Sequence, residues 1–127
     1  MKIIKIILLI TIFLNAELSP NSYKKLQESA EYILLILPID INKRVNLKEN
    51  RVYFTIKAKV KKCFKAKGKI TDTIIIKYNK LYRQNRYILG PAQIQDLKEG
   101  LLYIAYLKKI GNFFKPSAYS KSFKIYK

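Results

Sequence analysis

The chain has no histidine, one cysteine and eight carboxylate side chains in 127 residues. Each shortage closes off a class of function. Without histidine the commonest general base is missing, and with it the Ser-His and Cys-His nucleophile pairs and most zinc or transition-metal sites, so no metal, cofactor or catalytic residue is expected. The few carboxylates do not form a glycosidase-type pair. Glu28 and Glu31 lie three apart, as do Asp96 and Glu99, and both pairs read as solvated helix or turn positions. Gly68 and Gly90 stand alone, so there is no phosphate-cradling loop. Lys-assisted serine chemistry has no motif behind it. Together these absences point away from an enzyme. The lone Cys63 closes no intrachain bridge, so the core must hold the fold unaided. Cys63 reads as a buried small hydrophobe, the alternative being a free thiol for an intermolecular link.

The N-terminal apolar run is short. Ile6 to Leu14 is nine residues, against the roughly 20 that a membrane-spanning helix needs. It follows a basic opening, Met1-Lys2-Ile3-Ile4-Lys5, and leads to Asn15-Ala16, a small residue at a cleavage position. That order is the pattern of a secretory signal peptide over residues 1–16. No cysteine follows the run, which argues against a lipoprotein anchor; a retained N-terminal anchor is the alternative. Cleavage near Ala16 leaves residues 17–127 as a single secreted or periplasmic domain, with no stable transmembrane segment after processing.

Half the residues are apolar and ten are tyrosine, enough for a core. Lys and Arg number 26 against 8 Asp and Glu, a net charge of +18. An AT-rich coding bias accounts for the preference for Lys over Arg, but not for scarce carboxylates, whose codons are AT-tolerant too. The excess charge is a surface property, and it attracts polyanions: nucleic acid, acidic polysaccharide or anionic lipid head groups.

Ser19-Pro20 marks a helix entry, with Tyr23, Leu26, Gln27 and Ala30 at helical spacing, so a short helix is predicted from Pro20 to Ser29. Glu31 to Ile41, bounded by Pro38, reads as a strand buried on both faces, and Asn42 to Asn50 as a loop or hairpin connection. From Arg51 to Lys62 the alternation is strict: Val52, Phe54, Ile56, Ala58 and Val60 fall on one side, Tyr53, Thr55, Lys57, Lys59 and Lys61 on the other. Cys63 to Lys69 reads as a connection turning at Gly68, and Ile70 to Tyr78 as a third strand. After a polar loop broken by Gly90-Pro91, Gln93 to Lys98 reads as a helical turn, Leu101 to Lys108 as a fourth strand, and Phe113 to Lys127 as a last strand pair. The expected fold is all-β with one short N-terminal helix: a five- to six-stranded OB-like barrel.

This order of a helix, an apolar first strand, an alternating strand ending in Val60-Lys61-Lys62-Cys63-Phe64-Lys65, and a later Leu97-x-x-Gly100-x-x-Tyr103 resembles the netrin-like module. That module is the OB-type barrel of the tissue inhibitors of metalloproteinases and their exported, cysteine-poor bacterial relatives. The resemblance spans about residues 23–107. It implies the barrel, and a protease inhibitor as one candidate function. Those inhibitors chelate zinc through an N-terminal cysteine that this chain lacks, so that route is not implied; the scaffold itself hosts unrelated functions.

The positive signal is charge in one stretch. From Lys57 to Arg86 there are eleven basic residues and one acid, Asp72, and from Lys108 to Lys127 six lysines and no acid. The candidate binding residues are Tyr53, Lys57, Lys59, Lys61, Lys62, Lys65, Lys67, Lys69, Arg83 and Arg86, with Tyr78, Tyr82 and Tyr87 as stacking partners. The alternative is that the lysines keep an exposed strand soluble and block edge-to-edge pairing. The expected role is a non-enzymatic exported binding module that meets a protein partner or an anionic polymer or lipid surface. Protease inhibition and single-stranded nucleic-acid binding are the rival functions.

Overall fold

The computed structural model describes residues 19–83 and 94–127; the expected leader over residues 1–16, and Arg86 and Tyr87, lie outside the described residues. A nine-residue helix α1 (Pro20–Glu28) opens the fold, followed by strands β1 (Tyr32–Asn46), β2 (Arg51–Ala66), β3 (Thr73–Leu81), β4 (Tyr103–Ile110), β5 (Phe113–Pro116) and β6 (Phe123–Ile125). The helix starts where Ser19 caps it, its hydroxyl oxygen accepting from the Ser22 N–H at 3.2 Å, with Pro20 in the first turn. The sheet runs β1-β2-β3-β5-β4 and closes through β1 pairing with β4, with β6 added on β4. All pairings are antiparallel except β3 with β5. This is a closed five-stranded mixed barrel plus one strand, as the OB-like expectation has it.

Alternation builds the interior. Tyr32, Leu34 and Ile36 of β1, Val52, Phe54, Ile56 and Ala58 of β2, Ile74, Ile76 and Tyr78 of β3, and Tyr103, Ala105 and Leu107 of β4 all point inward and are buried. Phe54 stacks on Tyr78 at 4.9 Å between ring centroids, and Tyr32 meets Phe114 edge-on at 5.0 Å. Burial of such a side chain is worth about 1.5–3 kcal/mol, so with no disulfide the stability rests here.

The Leu97-x-x-Gly100-x-x-Tyr103 stretch has a structural job. Leu97 is buried in the core, Gly100 takes φ +82° and its N–H reaches the Pro38 carbonyl at 3.1 Å. Glu99 accepts from the Ile41 N–H at 3.0 Å, and the buried Tyr103 hydroxyl accepts from the Lys98 N–H at 2.9 Å. The turn is thereby riveted onto β1 next to its bulge at Ile39. A side chain at Gly100 would be strained by that positive φ.

Several boundaries differ from the sequence reading. β1 does not stop at Pro38 but continues to Asn46. β4 pairs with β1 only from Tyr32 to Ile36, so the edge where proline lacks an N–H carries no ladder beyond that point, and the Pro38 carbonyl on the same edge takes the Gly100 bond instead. The predicted connection over residues 42–50 therefore shrinks to a turn at residues 47–50. β2 likewise runs on through Cys63 to Ala66, and residues 94–98 form no helical turn.

Cys63 is exposed, which corrects the buried reading. The reason is positional: β3 pairs with β2 only from Arg51 to Lys59, so residues 61–66 run past the core with one edge uncovered. Cys63 in the folded protein will therefore react with a maleimide or a disulfide reagent at a rate close to that of the denatured chain; strong protection in the native state would contradict its placement.

Candidate functional site

The outward face of the barrel is laid out by register. β1, β2 and β3 align Asp40 with Lys57 and Ile75, then Asn42 with Thr55 and Lys77, then Arg44 with Tyr53 and Asn79. Since opposed residues in a sheet point to the same side, these three rows form one surface. The parallel pairing of Ile76 with the buried Phe114 sets Phe113 and Lys115 outward alongside it, with Ile110 opposite Phe113 on β4. The result is an open cleft of about 680 Å³ across β1, β2, β3 and β5. Four cations line it (Arg44, Lys57, Lys77 and Lys115) against one carboxylate, Asp40.

Two aromatic rings sit among the charges. The Arg44 guanidinium lies 4.7 Å from the Tyr53 ring centroid, and the Lys77 ammonium 5.1 Å from that of Phe113. The Tyr53 hydroxyl donates to Glu49 at 2.5 Å, which holds the ring toward the β1–β2 turn and raises the phenol above its usual range. Asn50, at φ +53° in that turn, clamps the end of β3: its carbonyl accepts from the Tyr82 N–H, and its side chain exchanges two 3.0 Å bonds with the Arg83 backbone.

The expected site residues divide. Tyr53 and Lys57 line the cleft. Lys59 is exposed one row beyond it, opposite Thr73. Lys61 falls at a bulge, opposite the step from Leu35 to Ile36, so strict alternation ends at Val60 and no longer dictates that it shares the Lys57 face. Lys62 lies 5.2 Å from the Phe64 ring on the uncovered edge. Lys65 donates to the Glu28 carbonyl at 3.1 Å at the end of α1, and Lys67 pairs with Glu31 at 3.0 Å. Glu31 also accepts from the Lys109 N–H, and the two donors hold its carboxyl below the ordinary range. The Glu31 contribution to stability is thus present above that range and lost as pH falls. Lys69 is exposed in the connection after β2, and Arg83 sits over Tyr82 at 5.8 Å, outside the cleft.

Tyr78 is no stacking platform: it points inward against Phe54 and is 6% exposed. Arg44, Lys77, Phe113 and Lys115 were missing from the sequence-based set, although Lys77 falls within the basic stretch from Lys57 to Arg86. For the other three the signal was the alternation of β1 beyond Pro38, and a register between β3 and β5 that only tertiary pairing reveals.

Among the described residues there is no cluster of three or more His, Cys, Asp or Glu that could hold a metal ion, and no helix long and apolar enough to cross a membrane. No protein-family model matches the chain, and no curated protein or solved structure matches it significantly.

Proposed function

We propose that this protein is an exported, non-enzymatic binding module that takes a linear anionic polymer along the cleft on the β1–β2–β3–β5 face. The observation that carries the reading is the convergence of Arg44, Lys57, Lys77 and Lys115 with Tyr53 and Phe113 around one open surface containing a single carboxylate. Cations neutralise the polymer's charges, and the ring faces give stacking area to its sugars or bases. Fold-level analogy agrees, because OB-type barrels bind oligonucleotides and oligosaccharides on the face of their second and third strands. The leader-like opening supports an acidic envelope polysaccharide over nucleic acid as the polymer. The netrin-like scaffold is part of the same proposal, supported by the strand order and by the riveted Leu97–Tyr103 turn.

The mature domain is expected to be retained on immobilised heparin at 50 mM salt and released steeply as salt rises. With four contacts and a slope of about −0.7 per contact, affinity falls roughly fifty-fold between 50 and 200 mM. Retention that does not depend on salt, or no retention at all, contradicts the reading. Oligo-dT on the same instrument separates nucleic acid from polysaccharide.

A further inference from the structure

The end of the barrel where β1 turns into β2 combines exposed apolar area with positive charge. β4 leaves β1 at Ile36, and the last tie on that edge is the Ile41 N–H, held by Glu99. Asn42 to Asn46 run on for roughly 16 Å, a stretch of β1 that pairs with β2 alone. The chain then turns over residues 47–50, the Asn50 N–H donating to the Leu47 carbonyl at 3.3 Å. β3 flanks β2 to the same end, and Asn50 ties the backbones of Tyr82 and Arg83 beside the turn.

Leu47 is 72% exposed, more than any other large hydrophobic side chain among the described residues. Val45 and Tyr82, close by, are 41% and 43% exposed. One exposed leucine is ordinary on its own. Here three cations share its turn or adjoin it: Lys48 within the turn, Arg51 directly after it, and Arg83 tied to Asn50. None of the three has an ion pair among the described residues. The one acid in the turn, Glu49, accepts through its two oxygens from the Asn46 amide and the Tyr53 hydroxyl. Neither these cations nor Leu47, Val45 and Tyr82 line the polymer cleft.

An apolar crest among cations complements a layered target, with negative charge at its surface and hydrocarbon beneath. A soluble polyanion would meet the cations and leave Leu47 in water. We infer that the β1–β2 tip, with Tyr82 and Arg83 beside it, docks onto the face of a bilayer that carries anionic lipids. Leu47 passes beneath the head groups, and Tyr82 lies at their level, where tyrosine is favoured. Lys48, Arg51 and Arg83 meet the lipid phosphates, each cation near such a surface strengthening attachment about fivefold. Buried apolar area and charge attraction then add, as they do for other proteins that lie on a membrane without crossing it.

The test is co-sedimentation with vesicles of phosphatidylcholine, alone or mixed with phosphatidylglycerol. Residues 17–127 are used; they hold every described element and leave out the apolar run Ile6 to Leu14, which would itself enter a bilayer. Binding to the mixed vesicles is expected, at least tenfold tighter than to the neutral ones. Leu47→Ser, in an exposed turn, should keep its urea midpoint and its heparin retention but bind the mixed vesicles about tenfold more weakly. The chain has no tryptophan, so Leu47→Trp carries the sole indole. Its emission should move to the blue on the mixed vesicles and be quenched by lipid brominated in the acyl chains. No binding to mixed vesicles, equal binding to both kinds, or emission that neither moves nor is quenched would overturn the inference. So would unchanged binding by Leu47→Ser, which would mean that bulk charge alone holds the protein. Heparin retention reads the cleft and vesicle binding reads the tip, so either proposal can fail without the other.

Discussion

Replacing Lys57, Lys77 and Lys115 together by Gln will weaken binding to heparin at least tenfold and flatten its salt dependence, while the charge-matched replacement of Lys61, Lys62 and Lys69 by Gln will leave most of the binding in place. Both variants lose three positive charges, so net charge cannot distinguish them; only position can. The first set lines the cleft. In the second, Lys61 and Lys62 lie on the uncovered end of β2 and Lys69 in the connection beyond it. Removing three of four contacts lowers the slope of log affinity against log salt by about two. Equal losses in the two variants would mean that binding follows bulk charge, and that the cleft is incidental.

The second large effect concerns the core behind the cleft. Phe54→Ala will destabilise the domain by about 3–5 kcal/mol, read from the urea midpoint at unchanged slope. Phe54 is 3% exposed, stacks on Tyr78 and sits between the outward pair Tyr53 and Thr55. A domain of this size has on the order of 5–15 kcal/mol in all, and here no disulfide supplements it. The variant should be partly unfolded at physiological temperature, and the cleft should be lost with the fold. A destabilisation below about 1 kcal/mol would mean that the aromatic stack is not what holds β2 and β3 in register.

How much of this was legible in the sequence follows from range. Local signals read well: Ser19-Pro20 starts the helix, and the Val52 to Val60 alternation gives the central strand and its basic outer face. The barrel class followed from strand number and turn spacing. What failed was decided by partners distant in sequence. Pro38 looked like a stop because its missing N–H costs a ladder bond in most strands, yet here its free edge faces the Gly100 turn instead. Cys63 looked buried because a free cysteine usually behaves as a small buried hydrophobe, yet β3 ends short of it. Half of the cleft was invisible for the same reason, since Arg44 lies beyond the misread proline and Phe113 and Lys115 are brought in through the single β3–β5 pair.

The lysines outside the cleft also have a physical account. Lys61, Lys62 and Lys65 occupy the stretch of β2 that pairs with β1 but that β3 does not cover, and bulges at Lys61 and Phe64 break its regularity. Charged residues and bulges are how sheets discourage edge-to-edge association. The strong positive charge of the β2 region therefore has two sources, a ligand-facing row and a protected edge, which run together when residues are counted along the chain.

The most direct test of the central claim is a backbone amide titration of residues 17–127 with a heparin-derived hexasaccharide, followed by two-dimensional nitrogen–proton NMR. The account predicts that the largest shifts fall at Arg44, Tyr53, Lys57, Lys77 and Phe113, on four different strands, with residues 61–69 little changed. Shifts centred on residues 61–69, or spread evenly over every exposed lysine, would contradict it.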